Sequence, residues 1–195
     1  MKFYRQKLKL GIGLFNRRVE VAFTLEDSAE CSVTVNDAEA SFVFNGKDYE
    51  FENASKLLGK TTHRIVELLT KKSIGEIKIN SLAPNRFSED VPSEPSAIIT
   101  IGEKMYSFRN VSPFKYFTFG KNKRDFKFLI RSRSDSVFIE YNFAFQEPRI
   151  STSSFLLAEN FAGEIITNSD EKLLMLIGLY LIQLSLYEKR MDDLG

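Results

Sequence analysis

Lys172–Arg190 reads KLLMLIGLYLIQLSLYEKR, and the ten residues from Leu173 to Ile182 carry no charged or strongly polar side chain. Only Gln183 and Ser185 interrupt the apolar run before Tyr187. A helix lying on a protein surface has an apolar stripe and a polar face; this one is apolar all the way round and needs burial on every side. Its ends are marked in the flanks. Asn168 suits the N-cap and Glu171 the third position, a capping-box pattern. Asp170 and Glu171 complement the positive end of the dipole, Lys189 and Arg190 the negative end. Over Ser169–Arg190 the helix spans roughly 33 Å at 1.5 Å per residue, enough to thread a barrel. As a membrane anchor it falls short, with about 15 mostly apolar residues against the roughly 20 a span needs, and Gln183 would lie in hydrocarbon. Burial inside protein is the expectation.

The rest of the chain reads as short β-strands, because apolar and polar residues alternate with period two. Val19, Val21, Phe23 and Leu25 alternate with Arg18, Glu20, Ala22 and Thr24; Cys31, Val33 and Val35 oppose Ser32, Thr34 and Asn36. Phe42 and Phe44 lead through Asn45-Gly46, a strong hairpin signal, to Tyr49 and Phe51. The pattern returns at Ile77–Ile79, Ile99–Ile101, Tyr106–Phe108, Phe126–Ile130 and Val137–Phe145. In the first segment Tyr4, Leu8, Leu10, Ile12 and Leu14 share one side, and Arg5, Lys7 and Lys9 the other. One-sided alternation with close turns predicts antiparallel strands with one face in and one out. Lys56–Leu69 suits either a helical turn or, through Arg64–Leu68, a strand. Ala83–Ser96, polar and acidic with Pro84, Pro92 and Pro95, must be a loop, and it is the one plausible linker. A single domain over residues 1–195 is preferred to two, because the first half lacks a helix of its own to fill it. The fold class expected is mainly β: a closed antiparallel barrel enclosing one hydrophobic C-terminal helix. Leu173, Leu174, Leu176, Ile177, Leu179, Tyr180, Leu181, Ile182 and Leu184 would form its plug. Tyr49, Phe51, Asn53 and Ser55 match Tyr106, Phe108, Asn110 and Ser112 at every second position, a weak internal repeat.

Composition agrees. The 195 residues are 43% hydrophobic, with 18 Phe, 7 Tyr and no Trp, a balance that favours strands. A lone cysteine, Cys31, excludes an internal disulfide framework and points to the cytosol. The net charge of +1 hides an asymmetry. Residues 1–18 carry +6 and residues 104–133 carry +8, leaving −13 elsewhere.

The meander, the paired hairpins and the final apolar helix together resemble the tubby C-terminal-like superfamily, which includes the LURP-one-related proteins and phospholipid scramblases. Gly46–Phe51 (GKDYEF), Thr62–Glu67 (THRIVE), Ile74–Ile79 (IGEIKI) and Asp135–Tyr141 (DSVFIEY) look like the small bacterial tubby-like domains. The resemblance implies a closed barrel of about twelve strands around a C-terminal helix. It also implies association with lipid or membrane, or a scaffolding role, with no shared enzyme chemistry. The C-terminal signature of animal tubby proteins is not found, so no phosphoinositide-contact residue is carried over.

Candidate sites follow from charge. Lys121, Lys123 and Arg124 form a cationic hairpin tip, and Lys127, Arg131 and Arg133 share one face of the next strand. Such a surface can hold the phosphates of anionic membrane lipids, placing the protein in the cytoplasm or peripherally at the membrane; the same charges also keep hairpin tips solvated. An unknown protein is the alternative partner. Nucleic acid is not expected, because the aromatic side of these strands is needed for the core. With one His and one Cys there is no metal-ligand cluster, no cofactor is expected, and His63 reads as structural. No Gly-x-Ser-x-Gly elbow appears, so an enzyme is not expected. Gly178 reads as a place where a strand packs closely against the helix.

Overall fold

The computed structural model describes residues 1–12, 17–26, 28–35, 40–57, 60–82, 94–112, 123–134, 136–146 and 160–192. Twelve strands follow one another: β1 Lys2–Ile12, β2 Arg17–Leu25, β3 Ser28–Val35, β4 Ala40–Phe44, β5 Lys47–Leu57, β6 Lys60–Glu67, β7 Ser73–Ile79, β8 Ala97–Ile101, β9 Lys104–Asn110, β10 Lys123–Ser132, β11 Phe138–Gln146 and β12 Phe161–Thr167. The helix α1, Lys172–Asp192, ends the chain. Each strand pairs antiparallel with its sequence neighbours, and β1 pairs with β12 to close the barrel. Lys60–Glu67 is therefore a strand. β7 and β8 pair directly, with Gly75 opposite Ile101 and Ile79 opposite Ala97, and most of the Pro-rich stretch between them, residues 83–93, lies outside the described residues.

Local chemistry sets the turns. Asn45 and Gly46 both have positive φ (52° and 70°), the two-residue turn whose twist suits a hairpin. Strand interiors alternate as predicted at Val21, Phe23 and Leu25, at Val33 and Val35, and at Ile139, Tyr141 and Phe143, all buried. In the repeat, Tyr49, Phe51, Tyr106 and Phe108 are all buried, but the halves part at the third position. Asn53 is exposed beside a bulge, whereas Asn110 is buried.

The first strand departs from expectation. Phe3 and Arg5 point inward and are 0% and 1% exposed, while Tyr4 and Leu8 are 36% and 49% exposed. Arg5 lies opposite Phe23 and Phe161, both interior, so the register carries it inside. Its guanidinium is tolerated there because it lies over the Phe161 and Phe23 rings, 5.3 and 5.9 Å from their centroids, and because Nε donates to Gln183 Oε1 at 3.0 Å.

Leu174 to Gln183 are all buried, leaving that stretch of the helix no solvent side. Its partners come from around the circumference: Gln183 meets Arg5 of β1, Tyr180 stacks on Phe51 of β5 at 3.8 Å, and Met175 O accepts from Tyr141 Oη of β11 at 2.9 Å. The helix is thus the core of the barrel. Met175, absent from the expected plug, is fully buried, while Leu173 and Leu184 are partly buried. The helix starts later than its capping pattern predicted. Asn168 Oδ1 accepts from Phe138 N–H at 2.7 Å, so Asn168 ties down a strand and does not cap the helix. Glu171 stands just before the first helical residue, accepting from Tyr106 Oη at 2.8 Å and Lys104 Nζ at 3.1 Å. The barrel end where the helix begins is the proximal rim, and the opposite end, where β7, β9 and β11 finish, is the distal rim.

Gly178 sits where the Tyr141 ring crosses the helix, and a Cβ there would lie 2.5 Å from Tyr141 Cζ. Gly178→Ala therefore forces out the ring. Overpacking of about 1–3 kcal/mol and the loss of the Tyr141–Met175 bond outweigh the roughly 1 kcal/mol of helix propensity that alanine adds. A net loss of about 2 kcal/mol in urea unfolding is expected, with partial recovery in Gly178→Ala/Tyr141→Leu. A chain ending at residue 167 should be insoluble or lack a cooperative melt.

Candidate functional site on the outer face of the barrel

Along β10, Phe126, Phe128 and Ile130 are buried in the core, so Lys127, Leu129 and Arg131 fall on the outer side. Of the six cations expected to form one site, only Lys127, Arg131 and Arg133 have described side chains. Lys121 lies outside the described residues, and for Lys123 and Arg124 the backbone is described, paired with Gln146 and Phe145. These mark the distal rim. Arg131 and Arg133 lie at the proximal rim, about 30 Å away at roughly 3.3 Å per strand residue. A single lipid head group cannot bridge them.

Lys127 is already engaged: Nζ lies 2.8 Å from Glu140 Oε2 on β11. Burial would raise the Glu140 carboxyl, but hydrogen bonds from Lys127 and Asn142 and the nearby charges of Lys127 and Arg131 overcome it and hold the group below its ordinary value. Arg131 is exposed, its guanidinium 5.4 Å from the Phe138 ring centroid. Arg133 is exposed in the β10–β11 turn and has no ion pair among the described residues. The outer face thus offers two exposed arginines at one end and leaves Lys127 tied to a carboxylate.

Inside, three polar sets that the strand pattern does not announce sit against the helix. Arg5 and Gln183 form the first. In the second, Asn110 Nδ2 donates to Leu82 O and to Ser185 Oγ, both at 3.0 Å, and Ser185 Oγ donates to Leu82 O at 2.8 Å. The third is His63, 7% exposed, whose Nδ1 lies 3.1 Å from Tyr180 Oη. Burial holds the His63 imidazole below its ordinary value and pushes the Tyr180 hydroxyl up, so the pair is neutral and structural. A period-two pattern shows which residues share a face, but a lone Asn or His on that face carries no mark of its partner across the bore. Among the described residues no group of His, Cys, Asp and Glu is arranged to hold a metal ion. None of the described helices is long and apolar enough to cross a membrane.

Comparison with family models, with curated proteins and with solved structures found no match to the chain.

His63 makes stability depend on pH. Its folded value lies below the unfolded 6.5, so the unfolded chain binds the extra proton. The neutral ring's contribution is complete above pH 6.5 and is lost as pH falls from there towards the folded value. Since this is the only histidine, urea unfolding between pH 8 and pH 5 should show a decline that is flatter in His63→Gln.

Proposed function

We propose that the protein is a non-enzymatic binding or scaffold barrel of the tubby-like kind, docking peripherally on anionic phospholipid head groups from the cytoplasm. The observation that carries this is the filled bore: with Leu174 to Gln183 buried on every side, the helix occupies the space in which a barrel would otherwise hold a ligand. Recognition then belongs to the exterior. There the exposed Arg131 and Arg133, and the basic sequence at Lys121, Lys123 and Arg124, supply charge of the right sign. The barrel-around-helix layout supports the likeness to tubby-like domains. A protein-interaction module is the second reading, favoured by Tyr4, Leu8 and Ile166, which are 36%, 49% and 49% exposed on the adjacent strands β1 and β12.

Flotation with neutral and anionic vesicles at low and moderate salt tests the proposal. Binding to anionic vesicles that fades with salt is expected. Each basic group near such a surface contributes about 1 kcal/mol, so Lys121→Ser/Lys123→Ser/Arg124→Ser should cut partitioning by on the order of 100-fold. Lys127→Ser should change little, because Glu140 already neutralises that charge. Absence of binding, or binding indifferent to salt and lipid charge, would sink the proposal.

A further inference from the structure

The outward positions of β12, β1, β2, β3 and β4 form two rows without a charge. Their chain neighbours, Phe3, Phe23, Val33 and Phe42 among them, are buried in the core, so the residues between face out. The ladder aligns these across the strands. One row runs Ala162, Tyr4, Thr24, Ser32, Val43, and the next runs Gln6, Ala22, Thr34, Ser41. At β5 both rows become acidic: Asp48 stands opposite Val43, and Glu50 opposite Ser41. The chain is 27% charged, so this neutral side does not come from a want of charged residues. Its larger side chains are exposed and apolar: Tyr4 and Leu8 on β1, and Ile166 on β12. Leu8 stands where the β1–β2 register shifts between Lys7 and Lys9, a bulge that re-aims a side chain. Lys7, opposite buried Val21, holds a register position of the inner face.

Charge sits at the margins of the β1–β2 seam and is ordered in sign. Proximally, Lys2 Nζ of β1 lies 3.8 Å from Oε1 of Glu26, just past β2, and both side chains are exposed. Tyr4 Oη donates to the same Glu26 oxygen at 3.4 Å, which holds the ring over the seam. Distally, the register sets Lys9 of β1 opposite Glu20 of β2. At both ends β1 carries the lysine and the β2 side the glutamate. A two-fold axis lying in a contact plane along this seam brings β1 of one copy against β2 of another at the same height. Lys2 then meets Glu26 of the second copy, and Tyr4 meets its Thr24. A strongly charged partner would lose hydration against the neutral rows and find no counter-charge there, whereas a second neutral sheet face loses little. Small side chains around Tyr4 let two such sheets approach. Convex barrels touch along a strip about four strands wide, roughly 500 Å² per partner and about 1,000 Å² in all, at the lower limit of a specific interface.

We propose that this face is the contact between two copies of the chain, a weak two-fold dimer packed sheet on sheet along the β1–β2 seam. It goes beyond head-group docking and does not rest on it, since β12 and β11 separate β1 from the cations of β10.

Sedimentation velocity of the full chain, from micromolar to near-millimolar concentration, tests this. Reversible passage from monomer to dimer is expected over that range. Ala22→Arg puts a cation from each copy into the middle of the contact, and should raise the dimer dissociation constant on the order of 100-fold. The position faces outward, so the unfolding midpoint should hold. Lys2→Glu and Glu26→Lys each set like charges against one another across the axis, and each should weaken self-association about ten-fold. An equimolar mixture of these two variants should dimerise as well as wild type, because every clash then becomes an attraction. Mixing leaves the repulsion within each chain unchanged, so the recovery reports the contact between copies. A chain monomeric at every concentration overturns the proposal. So does a dimer indifferent to Ala22→Arg, or a mixture no more associated than its components.

Discussion

Everything in this molecule depends on a mutual requirement between the helix and the barrel. A helix without a polar face has no stable position on a surface, and a twelve-stranded closed sheet leaves a bore that has to be filled. Each solves the other's problem. Full burial of a large apolar side chain contributes about 1.5–3 kcal/mol, and Leu174, Met175, Leu176, Ile177, Leu179, Leu181 and Ile182 all reach 0% exposure. The first strand must also meet the last, because β1 pairs with β12. The core is complete only when the whole chain is present.

An apolar cylinder in an apolar tube has many nearly equivalent settings, and the polar contacts of the core distinguish among them. Arg5 meets Gln183, Asn110 meets Ser185, His63 meets Tyr180, and Tyr141 reaches Met175 O over the notch left by Gly178. These partners lie on different sides of the bore, so turning or sliding the helix breaks several at once. At the proximal rim Glu171 adds a further tie through Tyr106 and Lys104. The cost is visible at Gln183, whose Nε2 is buried without a hydrogen-bond partner among the described residues. Its orientation is nonetheless fixed, because a flipped amide would set Nε2 against the Arg5 Nε–H.

With its interior committed to its own helix, the barrel meets other molecules through its surface. The strand direction of β10 separates the charges at its two ends: Lys123 and Arg124 lead into it at the distal rim, and Arg131 and Arg133 leave it at the proximal rim. Between them Lys127 is neutralised by Glu140. One run of positive charge in the sequence becomes two separate regions.

The architecture was legible in the chain by itself. Ten residues without a charged or strongly polar side chain demanded enclosure, period-two alternation demanded strands with one buried face, and Asn45-Gly46 demanded a tight hairpin. These are local properties, set by how side chains project from a helix or a pleated strand. The strand register around the closed sheet decided the rest. It turned Arg5 inward because its neighbours across the ladder are Phe23 and Phe161, and it sent Asn110 to Ser185 while leaving the matching Asn53 exposed beside a bulge. It gave Asn168 to Phe138 and left Glu171 at the helix start. It also set Lys127 within reach of Glu140. Alternation shows which side chains share a face, but partners 75 to 178 residues apart are chosen only when the sheet closes around the helix.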